Sequence, residues 1–172
     1  MGKLSQDELQ KFISEQVMAP FYKIRLEKLD SLTFNQLMSR KNPYLFKAKN
    51  IQTAEELVRY VLDAFLSSQE ETIFGNLMEK LAIYVCSETF NGEKAEERKF
   101  GSIDLIFQRD KKFYIVGIKS GPNWGNKDQI ERMKSNFKNA KKILKNEGVK
   151  ARIISVNGCM YGNYSCFDTF IF

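Results

Sequence analysis

An aspartate and a lysine on adjoining strands of one hairpin are the residues of this 172-residue sequence best placed to do chemistry. Ser102-Ile103-Asp104-Leu105-Ile106-Phe107 and Phe113-Tyr114-Ile115-Val116-Gly117-Ile118-Lys119 both read as strands, joined through Arg109-Asp110-Lys111-Lys112. Side chains alternate between faces, so Phe113, Ile115, Gly117 and Lys119 share one face. A loop of even length sets Asp104 opposite Gly117, with Lys119 on the diagonal, roughly 7–8 Å away between backbones and within reach of its long side chain. Such a pair can be an ordinary solvated cross-strand ion pair, worth at most about 1 kcal/mol. The segment after Lys119 argues for more. Ser120-Gly121-Pro122-Asn123-Trp124-Gly125-Asn126 is a Gly-Pro-Asn turn carrying the sequence's single Trp, a rigid loop of the kind that borders a site.

Composition narrows the chemistry. The sequence has no histidine, which excludes a histidine general base and histidine-ligated zinc. Lysine and arginine number 27 against 21 acids, a net charge of +6 that suits a polyanionic partner. Lys127, Arg132, Lys134, Lys138, Lys141, Lys142 and Lys145 gather in one predicted helix, where a solvated outer face accounts for most of them. Cys86, Cys159 and Cys166 are odd in number and lack metal or redox spacing, so they read as free thiols. No apolar run approaches the roughly 18 residues that span a bilayer, and the N-terminus lacks a signal-peptide core, which points to a cytoplasmic protein. The length suits a single domain over 1–172, with 1–50 a helical arm and 51–172 the core.

Helices come first and strands later. Capping-box spacings predict helices from Ser5/Glu8 to about Val17, from Thr53/Glu56 to about Leu66 and from Ser68/Glu71 to about Cys86. The last has an apolar stripe at Phe74, Leu77, Met78, Leu81 and Val85. Lys41-Asn42-Pro43-Tyr44 reads as a turn or loop, and Asn91-Gly92 with the charged run to Lys99 as a loop before the hairpin. A further helix starts at the Asn126 cap and ends near Glu147, closed by Gly148, with its stripe at Ile130, Met133, Phe137, Ala140, Ile143 and Leu144. The strand Ala151–Val156 follows. Strand, helix and strand in this order imply a right-handed crossover and a parallel pair, hence a mixed sheet packed with helices, an α/β fold. Tyr164–Phe172 reads as a last strand or as a chain cut short.

A helix, then a β-hairpin bearing Asp and x-x-Lys, then a helix and a strand, is the layout of the PD-(D/E)-x-K nuclease core, which the sequence resembles. Ser102-Ile103-Asp104 takes the place of the PD element and Gly117-Ile118-Lys119 that of E-x-K. Lys119-Ser120-Gly121-Pro122-Asn123-Trp124-Gly125-Asn126 is similar to type II restriction endonucleases, as are Asn42-Pro43-Tyr44-Leu45-Phe46, the Ser68-to-Leu81 helix and Gly158-Cys159-Met160-Tyr161-Gly162. The resemblance covers about residues 40 to 165 and implies a restriction-endonuclease-like core that cuts double-stranded DNA with Mg²⁺ at a specific site. It implies a homodimer in a prokaryotic cytoplasm, with Ser120, Asn123, Trp124, Asn126 and Lys127 at the DNA. Such enzymes usually run longer than this chain.

Phosphodiester hydrolysis needs a water nucleophile, stabilisation of a highly charged transition state and neutralisation of the leaving 3′ oxygen, much of which Mg²⁺ provides. Mg²⁺ takes oxygen ligands and typically binds one or two carboxylates plus phosphate and water. The resemblance makes Asp104 the first ligand, the main-chain carbonyl of Ile118 the second, and Lys119 the group that orients or helps deprotonate the water. The sequence departs from the pattern at Gly117, where the second carboxylate belongs. Glu71, Glu79 and Glu131 could supply it. Glu71 is already explained as a capping-box residue, and Glu131 stands one turn into the basic helix, where an acid also suits the helix dipole. Glu79 shares a helix flank with Gly75 and Ala82, and a mid-helix Gly suggests close backbone approach, so Glu79 ranks first. Two alternatives stay open: a catalytically silent DNA-binding domain, favoured by Gly117, and a non-specific or repair nuclease on the same fold.

Overall fold

The structure is a computed structural model describing residues 4–39, 42–121 and 125–161. Asn123, Trp124, Cys166 and the segment 164–172 lie outside the described residues. The helices are α1 (Gln6–Phe12), α2 (Ala19–Asp30), α3 (Phe34–Ser39), α4 (Pro43–Ala48), α5 (Ala54–Phe90), α6 (Glu97–Phe100) and α7 (Lys127–Asn146). The strands are β1 (Glu93–Lys94), β2 (Leu105–Arg109), β3 (Lys112–Lys119) and β4 (Arg152–Cys159), in the sheet order β1-β2-β3-β4.

The first helix starts as expected, with the Ser5/Glu8 capping box in place, but does not stop near Val17. A π-helical stretch, Ile13–Met18, joins α1 directly to α2. It falls just before Pro20, which has no N–H to donate and whose ring crowds the carbonyl four residues back. A widened turn lets the helix pass through it.

The two helices expected over Thr53–Leu66 and Ser68–Cys86 are one, α5, 37 residues and about 55 Å long. Thr53 and Glu56 form the real capping box, Thr53 Oγ1 accepting from the Glu56 N–H at 3.2 Å. Ser68 caps nothing. It lies inside the helix, its carbonyl accepting from the Thr72 hydroxyl at 3.0 Å, and Glu71 is exposed. The apolar stripe is largely as expected, with Leu77 buried and Met78 and Leu81 packed beside it, but Phe74 is exposed and the buried positions also include Val61, Ile73, Ala82 and Cys86. The expected loops also hold structure. Asn42 caps α4, its Oδ1 accepting from the Tyr44 N–H at 3.0 Å, and the charged run after Gly92 forms β1 and α6.

The hairpin register is as read from the sequence, Leu105 opposite Val116 and Ile106 opposite Ile115. Its turn is Asp110-Lys111, both residues left-handed at φ 50° and 58°, the primed geometry that matches strand twist. β4 runs parallel to β3, with Gly117 beside Asn157 and Lys119 beside Cys159. The α7 stripe packs on one face of the sheet, Phe137, Ala140 and Leu144 against Ile106, Phe113 and Ile115. The C-terminal half of α5 covers the other face, Ala82 and Cys86 against Leu105, Tyr114, Val116 and Val156. Midway along α5, Ile73 and Leu77 bury against Val17, Phe12 and Phe21, which seats the N-terminal helices, and Arg25 pairs with Glu70 at 2.5 Å. Burial on both faces is why β3 reads as a nearly continuous apolar run.

Candidate active site

Asp104 stands where β2 begins, at a break in the strand. A residue in a regular antiparallel strand directs its N–H and C=O to the same neighbour. Asp104 does not: its N–H donates to Val116 O at 2.9 Å, while its C=O accepts from the Ala95 N–H at 3.0 Å. Ile103, which regular alternation would place on the face of Leu105, packs instead with Ile106 and Ile115. Asp104 is therefore not squarely opposite Gly117, as expected, but slipped by one position in the manner of a bulge. The slip turns the side chain onto β3, where Asp104 Oδ2 accepts from the Ile118 N–H at 2.6 Å. Gly101, at φ +64° and ψ −124°, ends α6 and leads the chain into this break, a conformation that disfavours any residue with a side chain.

Burial pushes the Asp104 carboxyl above the ordinary aspartate range. The Ile118 N–H pulls it back, the charge of Glu79 pushes it up, and Lys119 and Lys94 pull it down. Two of these groups, Lys119 and Glu79, were expected at the site. Glu79, half-buried on α5, is near enough for its charge to act on Asp104, and its Oε1 is paired to Lys94 Nζ at 3.2 Å. Lys94 was missed, because nothing in a charged run between two turns marks it as part of a sheet edge. Glu131 lies on exposed surface, paired with Lys134 at 2.8 Å.

Gly75 does not mark the tight approach expected beside Glu79. A β-carbon there would meet only Ser120 Oγ, at 3.9 Å, which is ordinary contact. Gly75 nonetheless brings α5 up to the residue after Lys119. Around that residue two stretches of the sequence meet. The Met160 N–H donates to Lys119 O at 2.9 Å, and a β-carbon on Gly121 would collide with the Tyr161 ring at 2.5 Å. Asn126 spends its side chain on capping α7, its Oδ1 accepting from the Gln129 N–H at 3.0 Å, and Lys127 is exposed in the first turn.

Lys119 lines an open cleft of about 220 Å³ between the end of β3 and the first turns of α7, with Ser102, Gly117, Gln129, Arg132 and Met133. A β-carbon at Gly117 would meet Phe137 Cζ at 3.6 Å and Ser102 O at 3.7 Å, ordinary contacts that do not by themselves demand a glycine. Beside Gly117 on β4, Asn157 is 6% exposed and neither amide atom has a hydrogen-bond partner among the described residues; the same holds for the Ser155 hydroxyl. The strand pattern gave no sign of these two, since Ser and Asn on an amphipathic strand normally face water.

The donors suit a hard cation. Among the described residues no three of His, Cys, Asp and Glu gather to form an all-protein metal centre. Mg²⁺ does not need one: a carboxylate or two and water suffice, and a buried carboxylate already pushed up by a second acid gains from a cation beside it. No helix among the described residues is long and apolar enough to cross a membrane. The family model for the type II restriction endonuclease EcoO109I matches residues 7–169. No curated protein matches the chain. The family match runs across nearly the full sequence and agrees with a mixed four-stranded sheet held between helices: the chain belongs to the EcoO109I family of type II restriction endonucleases.

Proposed function

We propose that the protein hydrolyses phosphodiester bonds of duplex DNA at a specific site in a Mg²⁺-dependent reaction, acting as a homodimer. The observation that carries this is the Asp104 carboxylate, desolvated, held by the Ile118 N–H and set among Glu79, Lys94 and Lys119. Asp104 would hold the metal, with the Ile118 carbonyl and Glu79 as further oxygen donors, Glu79 standing in for the carboxylate that Gly117 lacks. The metal, when bound, supplies charge neutralisation at the leaving oxygen and acidifies its water. Lys119 holds the attacking water and offsets charge on the phosphate. A two-fold dimer matches a palindromic site and cuts both strands. Residues 1–50 form the arm and 51–172 the nuclease core of one domain.

Gly117 favours a second reading, a nuclease-fold domain that binds DNA without cutting it. Plasmid DNA incubated with the protein and Mg²⁺ separates the outcomes. Discrete bands that vanish with a chelator support the proposal. A smear means a non-specific nuclease, and intact supercoils with retained DNA binding mean the silent domain.

A further inference from the structure

The cleft beside Lys119 is built from hydrogen-bond donors. Of the described residues that line it, Lys119 and Arg132 are cations and none is acidic; Asp128 and Glu131, in the same turns of α7 as Gln129 and Arg132, stay out of it. Each of its two neutral polar groups already accepts one local hydrogen bond and keeps a donor to give. Ser102 Oγ accepts from Asn136 Nδ2 at 2.6 Å, which leaves its hydroxyl hydrogen to give. Gln129 Oε1 accepts from the Asn126 N–H at 2.9 Å, which leaves its Nε2 hydrogens. Gly117 and Met133 complete the lining without charge. A site that offers donors from two walls and no acceptor charge selects an anion. An open cleft of about 220 Å³ admits a phosphate group that remains attached to a larger chain.

We infer that this cleft binds a backbone phosphate of the DNA, with Arg132 as the cation that works with Lys119 from the α7 side. This role deepens the reading of the chain as a DNA endonuclease and rests on it. Arg132 is well suited: its guanidinium presents a planar fork that meets two phosphate oxygens at once. Its place in the cleft also separates Arg132 from Lys134, Lys138, Lys142 and Lys145, exposed cations of the same helix that do not line it. Gly117 contributes by omission, since a carboxylate there would stand among the donors and repel the phosphate.

The experiment is a binding titration of a fluorescent, non-specific DNA duplex in metal-free buffer, so that nothing is cut, repeated over a range of salt. Arg132→Ala and Lys138→Ala remove one exposed cation each from the same helix, inside and outside the cleft. Arg132→Ala should weaken binding about tenfold and make the salt slope shallower by about one, with Lys138→Ala changing both much less. Thermal denaturation of both variants should match the parent protein, because both side chains are exposed. Equal, small losses in the two variants would make the helix an undifferentiated basic face and overturn the inference while leaving the endonuclease reading intact. Failure of the parent protein to bind the duplex at low salt would overturn that reading, and the inference with it.

Discussion

Asp104 sits at the centre of this site because it is held in a state that costs stability. Its carboxyl is raised mainly by burial, so the folded protein binds that proton more tightly than the unfolded chain does. The contribution of such a group is fully present below its unfolded pKa and is lost as pH rises through the folded value. Asp104→Asn keeps an acceptor for the Ile118 N–H and removes the buried charge. It should therefore raise Tm at pH 7, and the advantage should fade on acidification into the carboxylate range. A thermal melt series across pH reads this directly, and a lower Tm at pH 7 would show that Asp104 is chiefly structural. Glu79 and Glu131 make a second contrast. The first acts electrostatically on Asp104 and the second pairs with Lys134 on the surface. Glu79→Gln should lower DNA cleavage by an order of magnitude or more, and Glu131→Gln by less than twofold. The reverse order would place the missing carboxylate on α7.

The sequence made some elements legible and hid others, and α5 shows why. Thr53-x-x-Glu56 and Ser68-x-x-Glu71 are equally good capping boxes on paper. A cap works only where the chain enters the helix from an extended backbone, as Thr53 does at φ −114° and ψ 154°. At Ser68 the helix runs on without a break, with Val61 buried before it and Ile73 and Leu77 buried after it, and packing overrides the local signal. Thr53→Ala should accordingly cost about 1 kcal/mol, whereas Ser68→Ala should be neutral or slightly stabilising, since Ala is the better residue inside a helix. Chemical denaturation of the two variants measures the difference, and equal losses would revive the break in the helix. The hairpin and α7 were legible for the opposite reason. Strand alternation, an even loop, the Asn126 cap and the α7 stripe all agree with one another and with the tertiary packing. The bulge at Asp104 was not legible, because one residue's departure from strand geometry leaves no mark in a hydrophobic pattern. For the same reason β1, two exposed charged residues, read as loop.

Across the whole molecule, α5 and α7 grip the sheet from opposite faces and bring the residues of the proposed site to one end of it. Glu79 comes from α5, Gln129 and Arg132 from the start of α7, and Asp104 and Lys119 from the sheet between them. The N-terminal helices pack on the middle of α5, away from the cleft side of the sheet, and so brace the helix that carries Glu79. The central claim is that Asp104 and Lys119 cut DNA together. It is tested most directly by the cleavage rate of supercoiled plasmid at saturating Mg²⁺ for the parent protein, Asp104→Ala and Lys119→Ala. The predicted result is a loss of at least a hundredfold in both variants, with DNA binding retained by Lys119→Ala. Cleavage by either variant at the parent rate would contradict the assignment.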